Sequence, residues 1–144
     1  MEKVIKRVDK MSVYVHKVQY YETDKMQITH HSNYIRFMEE ARLDFFDSIG
    51  YDYAKVEKEG FISPVVRVEC DYKKTTTYPD TIEIEVKAKE CKKFKFKLGY
   101  TMTVSGNVVC TAQSTHCFLD MQGRPVNIEK TFPGLFEKLS VTEK

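Results

Sequence analysis

The sequence predicts an α+β domain in which a five-stranded antiparallel sheet curls around one long helix. Three observations lead there. Apolar and polar residues alternate with period two through the second half, a helical period runs from Tyr34 to Ile49, and turn residues separate the strands.

The first strand, rich in Val and Tyr, is expected over roughly Ser12 to Glu22. The helix follows. Tyr34, Met38, Ala41, Phe45 and Ile49 fall on one stripe, with Phe37 beside it, and Leu43 and Phe46 lie off it, so the helix asks to be enclosed rather than covered on one side. Ser32 or Asn33 offers the capping oxygen at its start, and Gly50 sits where a glycine ends helices. In the second strand Val66, Val68, Cys70 and Tyr72 alternate with Arg67, Glu69 and Asp71. After the break at Tyr78-Pro79-Asp80, Ile82, Ile84, Val86 and Ala88 alternate with Glu83, Glu85, Lys87 and Lys89. Phe94, Phe96, Leu98, Tyr100, Met102 and Val104 form the apolar face of a fourth strand, and Ser105-Gly106-Asn107 closes a hairpin into Val108 to Leu119. Strands with one dry and one wet face favour antiparallel pairing. Met121-Gln122-Gly123 is a further turn, and a short helix is expected around Pro133 to Leu139, opening on its proline. No repeat or linker interrupts the chain, so residues 1–144 read as one domain.

Composition narrows the function. With 31% charged and 42% hydrophobic residues the chain can bury a core of its own. A net charge of +2 gives no reason to expect nucleic acid as a partner. No stretch is long and apolar enough for a membrane span, and MEKVIKRVDK lacks the apolar core of a leader peptide, so a cytoplasmic location is the expectation. Cys70, Cys91, Cys110 and Cys117 contain no metal-ligand spacing and read as thiols, and no metal site or redox cofactor is expected.

The chemistry is concentrated in TDKMQITHHSNY, Thr23 to Tyr34. A helix start leaves backbone N–H groups without intrahelical acceptors and adds partial positive charge, which suits a developing oxyanion. A turn brings Asp24 back toward that end, supplying a nucleophile or a general base. On spacing alone, an aspartate in such a loop is more often a turn or capping residue.

The stretch YYETDKMQITHHSNYIRFMEEAR, Tyr20 to Arg42, resembles the signature of hotdog-fold acyl-CoA thioesterases, in particular the 4-hydroxybenzoyl-CoA thioesterase and Tol-Pal-associated thioesterase family. There a Tyr-x-Glu-Thr-Asp segment leads to His-x-Asn-Tyr at the start of the central helix. Pro64-Val65-Val66 with Cys70-Asp71-Tyr72-Lys73, and Ser114 to Asp120 with Gly123-Arg124-Pro125-Val126, are similar to that family's second strand and to its last strand and turn. The resemblance implies a hotdog fold and hydrolysis of an acyl-CoA thioester to free acid and coenzyme A, with the thioester as substrate and no cofactor. It implies Asp24 as the catalytic carboxylate and His31 as the residue whose backbone N–H polarises the carbonyl. Asn33 is implied to hold the loop and Tyr34 to line the pocket. Relatives often carry glycine three residues after the aspartate, where this chain has Gln27, which bears on substrate choice. The resemblance also implies a homo-oligomer, a dimer or a homotetramer built as a dimer of dimers, with sites at the subunit interface. A related subgroup takes its acid from the helix, which gives Glu39 and Glu40 a small share.

The run Cys91-Lys92-Lys93-Phe94-Lys95-Phe96-Lys97 reads as a strand with aromatics in the core and lysines in solvent. Lys92 and Lys93, with Lys73 and Lys74, are candidates for the phosphates of coenzyme A. His30, His16 and His116 read as structural, and Glu39, Glu40 and Arg42 as an exposed ion-pair set. Two other functions fit the fold: a hydroxyacyl-thioester dehydratase, and a non-catalytic acyl-CoA-binding module.

Overall fold

The computed structural model describes residues 12–141, so MEKVIKRVDK lies outside the described residues. Strands β1 (Ser12–Lys17), β2 (Val65–Tyr72), β3 (Thr81–Cys91), β4 (Phe96–Val104) and β5 (Asn107–His116) form one five-stranded sheet in the order β1-β3-β4-β5-β2. Every neighbouring pair is antiparallel, as the alternation predicts. The helices are α1 (Ser32–Ser48), α2 (Tyr53–Lys58), α3 (Ile128–Thr131) and α4 (Pro133–Val141).

Short turns make β3, β4 and β5 neighbours. The β4–β5 turn has Ser105 at φ 50 and Gly106 at φ 82, the two left-handed residues that a two-residue hairpin loop needs to match strand twist. Residues 73–80 carry the chain from one edge of the sheet toward the other, so β2 and β3, adjacent in sequence, are separated by β4 and β5.

One face of the sheet is dry. Ile82, Ile84, Val86 and Ala88 of β3, Phe96, Leu98, Tyr100 and Met102 of β4, and Cys110 and Ala112 of β5 are buried with Tyr34, Phe37, Met38, Ala41 and Phe45 of α1. Gly50, at φ +87, ends the helix as expected, and its N–H donates to Asp47 O.

Several elements depart from expectation. β1 stops at Lys17, and Tyr20–Glu22 is a 3₁₀ turn. On β1, Val13 and Val15 are each 55% exposed, whereas Ser12, Tyr14 and His16 turn polar atoms toward α1. In β2, an edge strand, Val66 and Tyr72 stay 48% and 46% exposed. The lysine run is not a continuous strand. Lys92 N–H donates to Lys95 O in the β3–β4 turn, which throws Phe94 into solvent instead of the core. The off-stripe positions of α1 also split, Phe46 being buried and Leu43 exposed. Sequence periodicity did not reach α2, six residues capped by the Asp52 carboxylate on Ala54 N–H, or the single turn of α3.

A buried polar chain crosses the dry face, where Tyr100 Oη lies 2.7 Å from Ser114 Oγ and Ser114 Oγ lies 2.6 Å from His116 Nε2. His116 stacks on Phe96, and its Nδ1 has no partner among the described residues, so this histidine is less fully satisfied than a sheet residue was expected to be. Burial, with the charge of Arg42 adding to it, pushes the imidazole down to about 3 from 6.5. The unfolded chain takes this proton near pH 6.5 and the folded chain only near 3, so stability present above 6.5 is lost as pH falls through that window. From pH 7 to pH 5 that amounts to roughly 2 kcal/mol. Urea midpoints at the two pH values read the loss, and His116→Phe shrinks the difference.

Candidate active site

The loop between β1 and α1 is a small hairpin. Thr23 and Thr29 face each other across an antiparallel bridge, Asp24 N–H donates to Ile28 O at 2.9 Å, and His30 N–H donates to Glu22 O at 2.9 Å. Asp24 and His31 therefore stand on opposite arms of one loop, at the mouth of the 17-residue helix α1. Asp24 is half-buried. Its Oδ1 accepts from Met26 N–H at 2.8 Å, and its Oδ2 makes no hydrogen bond among the described residues.

The helix start is held differently from the expected cap. His31 occupies the cap position with helical backbone angles and no side-chain cap. The His30 ring takes over: Nδ1 accepts from Ser32 N–H at 3.2 Å, lies 2.9 Å from Ser32 Oγ, and the ring stacks on His31 at 4.4 Å. Asn33 N–H and Tyr34 N–H donate to His30 O and His31 O. The His31 N–H is left without an acceptor among the described residues. Asn33 turns its amide back instead of capping, donating from Nδ2 to Glu22 O at 2.9 Å.

A second layer fixes the loop from the 73–80 segment. Tyr34 Oη lies 2.9 Å from Thr76 Oγ1, Thr76 Oγ1 donates to Thr29 Oγ1 at 2.6 Å, and Thr29 N–H donates to Thr76 O at 2.8 Å. Tyr34 is accordingly a core residue, 3% exposed, rather than a free wall of a pocket within this chain. Burial raises its phenol above the usual range, and it stays a neutral donor. Tyr72 Oη donates to His31 O at 3.2 Å and stays half-exposed beside the helix mouth.

Gln27 stands where relatives were expected to carry glycine. It holds the left-handed conformation at φ 66, with its N–H donating to Asp24 O and its carbonyl accepting from Thr77 Oγ1 at 2.7 Å. The loop keeps the glycine-like backbone despite the side chain, which points to solvent. A left-handed residue with a Cβ costs about 1–2 kcal/mol, and glycine returns part of that as unfolded-state freedom. Gln27→Gly is expected to raise stability by up to about 1 kcal/mol in chemical denaturation.

Not all candidate residues meet. Lys73 and Lys74 follow Tyr72 at the site end of the fold, their N–H groups donating to Val109 O. Lys92 and Lys93 follow the far end of β3, an 11-residue strand whose near end adjoins the Asp24 loop; that separates them by roughly 35 Å. Glu39 is exposed. Glu40 is engaged by β1 instead of by Arg42: its Oε1 accepts from Tyr14 Oη at 3.0 Å and lies 3.3 Å from His16 Nδ1, while Arg42 is half-buried near Tyr100. His16 and the buried Glu22 also prove to be one linked pair, 3.0 Å apart. A histidine and a glutamate six positions apart carried no signal in the sequence that could join them. A cavity of about 390 Å³ at the other end of α1 is lined by Gly50, Tyr51, Val56, Phe61 and Phe132 among others. The carboxylate at its rim, Asp52, is already used as the cap of α2.

A carboxylate with one free oxygen, on the same loop as an unclaimed N–H at a helix start, is equipment for attack on an activated carbonyl. The family model described as the thioesterase-like superfamily matches residues 18–138, which includes the loop and both arms of the site. The chain belongs to the thioesterase-like superfamily. The expectation of a thioester hydrolase stands on that membership. Among relatives, a Bacillus subtilis protein named as a candidate acyl-CoA thioesterase, YneP, is 34% identical over 119 residues, covering 81% of this chain and 86% of that one. A 1,4-dihydroxy-2-naphthoyl-CoA hydrolase of Synechococcus elongatus is 25% identical over 109 residues, covering 74% and 80%. Among solved structures, a DHNA-CoA thioesterase from Staphylococcus aureus superposes with a TM-score of 0.85 at 28% identity, covering 89% of this chain and 87% of that one. The fold is thus the hotdog-like α+β fold with its five-stranded antiparallel sheet.

Proposed function

We propose that this member of the superfamily hydrolyses acyl-CoA thioesters through Asp24 and the start of α1, the helix we read as the central one that the sheet wraps. The single observation behind the assignment is that one loop carries, on its two arms, a carboxylate oxygen (Asp24 Oδ2) and a helix-start N–H (His31) that are both unclaimed among the described residues. The thioester carbonyl sits against the His31 N–H, where the helix end favours negative charge on its oxygen. Asp24 either attacks the carbonyl carbon, releasing the coenzyme A thiolate and giving an acyl-aspartyl anhydride that water then hydrolyses, or takes a proton from the water that attacks. Both routes end in free acid and coenzyme A. Asn33 and Tyr34 support the loop rather than touch substrate.

Kinship with the 4-hydroxybenzoyl-CoA and Tol-Pal-associated group rests on the Tyr20 to Arg42 signature. The names of two relatives support trying aromatic acyl groups first. Lys73 and Lys74 are the chain's own candidates for the phosphates. Lys92 and Lys93 can serve only from a second subunit, which fits a homo-oligomer in the cytoplasm. Tyr20 and Met26, 77% and 72% exposed around the loop, support such a covering subunit. Among the described residues no helix is long and apolar enough to cross a membrane.

The test is thiol release from short-chain, long-chain and aromatic acyl-CoAs. Turnover of one class supports hydrolysis and names the acyl group. Tight binding with no thiol release would instead establish a binding module, and loss of water from a hydroxyacyl-CoA a dehydratase.

A further inference from the structure

Besides the 73–80 segment, Glu22 ties the candidate loop to the rest of the fold, through a side chain bonded to β1 and a carbonyl bonded to the opposite arm. Glu22 is 4% exposed, and a carboxylate that deep is costly unless its charge is met by donors. Its Oε1 accepts from Gln19 N–H at 2.8 Å and lies 3.0 Å from His16 Nε2. Its backbone carbonyl accepts from His30 N–H and from Asn33 Nδ2, each at 2.9 Å. A shift of Glu22 therefore moves both arms: Asp24 lies two residues after it, and His31 follows the residue bonded to its carbonyl. The exposed tip, Lys25 to Gln27, is closed on Asp24 by the N–H groups of Met26 and Gln27 and is held from outside by Thr77 Oγ1 on Gln27 O.

What holds the Glu22 side chain is His16, on β1. Its ring packs on Phe37 of α1 at 4.1 Å, which fixes its plane. Its second nitrogen, Nδ1, lies 3.3 Å from Glu40 Oε1 on α1, and Glu40 in turn accepts from Tyr14 Oη. Ser12 Oγ donates to Asp44 Oδ2 at 3.1 Å one helical turn further on. The inward face of β1 is thus a polar seam against the helix, where an apolar face would have packed more simply. A ring carrying both protons can serve Glu22 and Glu40 together; a neutral ring can donate to only one of them.

We propose that His16 is a positioning residue for the thioesterase reaction, clamping the Asp24 loop to α1 by bridging the carboxylates of Glu22 and Glu40. The inference rests on the reading of Asp24 and His31 as the reacting groups. Displacements near 1 Å at a reacting centre cost up to ~10²-fold in rate, and they act on turnover more than on binding of a large substrate.

The experiment compares the full-length wild type with His16→Leu, His16→Arg and Asp24→Asn, measuring kcat, KM and thermal unfolding on the best acyl-CoA of the panel. His16→Leu is expected to lose about tenfold or more in kcat, with KM held within about twofold. His16→Arg, which can donate to both carboxylates, is expected to restore most of the loss. A folded His16→Leu with wild-type kcat overturns the proposal, as does a loss that Arg leaves unrepaired. If His16→Leu does not fold, Glu40→Gln carries the test, its side chain being 38% exposed; an unchanged kcat there overturns the clamp. Asp24→Asn separates the two readings. Full activity in Asp24→Asn refutes the assigned role of Asp24 itself, whereas an inactive Asp24→Asn beside an unimpaired His16→Leu refutes only the clamp.

Discussion

Asp24→Asn is expected to lower kcat on acyl-CoA by roughly 10²–10⁴ while leaving the fold and substrate affinity close to wild type. The asymmetry follows from what the side chain does. Its Oδ1 accepts from Met26 N–H, and the amide oxygen of asparagine can accept the same bond, so the turn survives. The oxygen that changes character is Oδ2, which has no structural duty among the described residues. An amide nitrogen there neither attacks a carbonyl nor takes a proton from water. Thiol-release kinetics read the loss, and circular dichroism with a thermal melt establishes that the variant is folded. A single turnover in ¹⁸O-labelled water then examines the route, since label appearing in Asp24 requires an anhydride between acyl group and enzyme. Activity persisting at the wild-type level would return attention to Glu39, which is exposed on α1, and away from Glu40, whose carboxylate is engaged by Tyr14 and His16.

Phe37→Ala carries the largest expected effect on stability, a loss of about 3–5 kcal/mol. The ring is fully buried, meets Tyr34 at 5.5 Å between centroids, and forms the surface on which His16 lies at 4.1 Å. Truncation leaves a cavity under the first turns of α1 and removes the aromatic contacts at once. Urea unfolding at pH 7 measures the loss. Because His16 loses its platform, the fraction that remains folded is also expected to turn over more slowly. Phe45→Ala, buried further along the same helix and making no ring contact with His16 among the described residues, serves as the comparison. A similar stability loss with normal turnover in that variant would assign the rate effect to the His16 platform and not to core truncation in general.

Much of this architecture is written in local pattern. The alternation in Ile82 to Ala88 and Phe96 to Met102 specifies strands with one buried face, because adjacent side chains on a strand must point to opposite sides. Ser105-Gly106 specifies its hairpin because few residues take positive φ cheaply, and Gly50 ends the helix for the same reason. The motif from Tyr20 to Arg42 marked Asp24 and His31 before any coordinate, since loop and helix start are contiguous in the chain.

Tertiary packing settled the rest, wherever the deciding partner is distant in sequence or a strand lies at an edge. The Val- and Tyr-rich sequence of β1 does not say which face turns inward; α1 presents Glu40 and Asp44 to it, and the polar set faces in. Phe94 fits a strand by period, and the β3–β4 turn, closed by Lys92 and Lys95, puts it outside. Lys92 and Lys93 look equivalent to Lys73 and Lys74 by composition, and only strand order sends one pair to the far end of the sheet. Asn33 seems a cap until Glu22 O, eleven residues away, claims its amide. A sequence states which residues can react; the loop's tether through Glu22, His16 and Glu40 comes from three separate elements, and distances between elements exist only once the chain has packed.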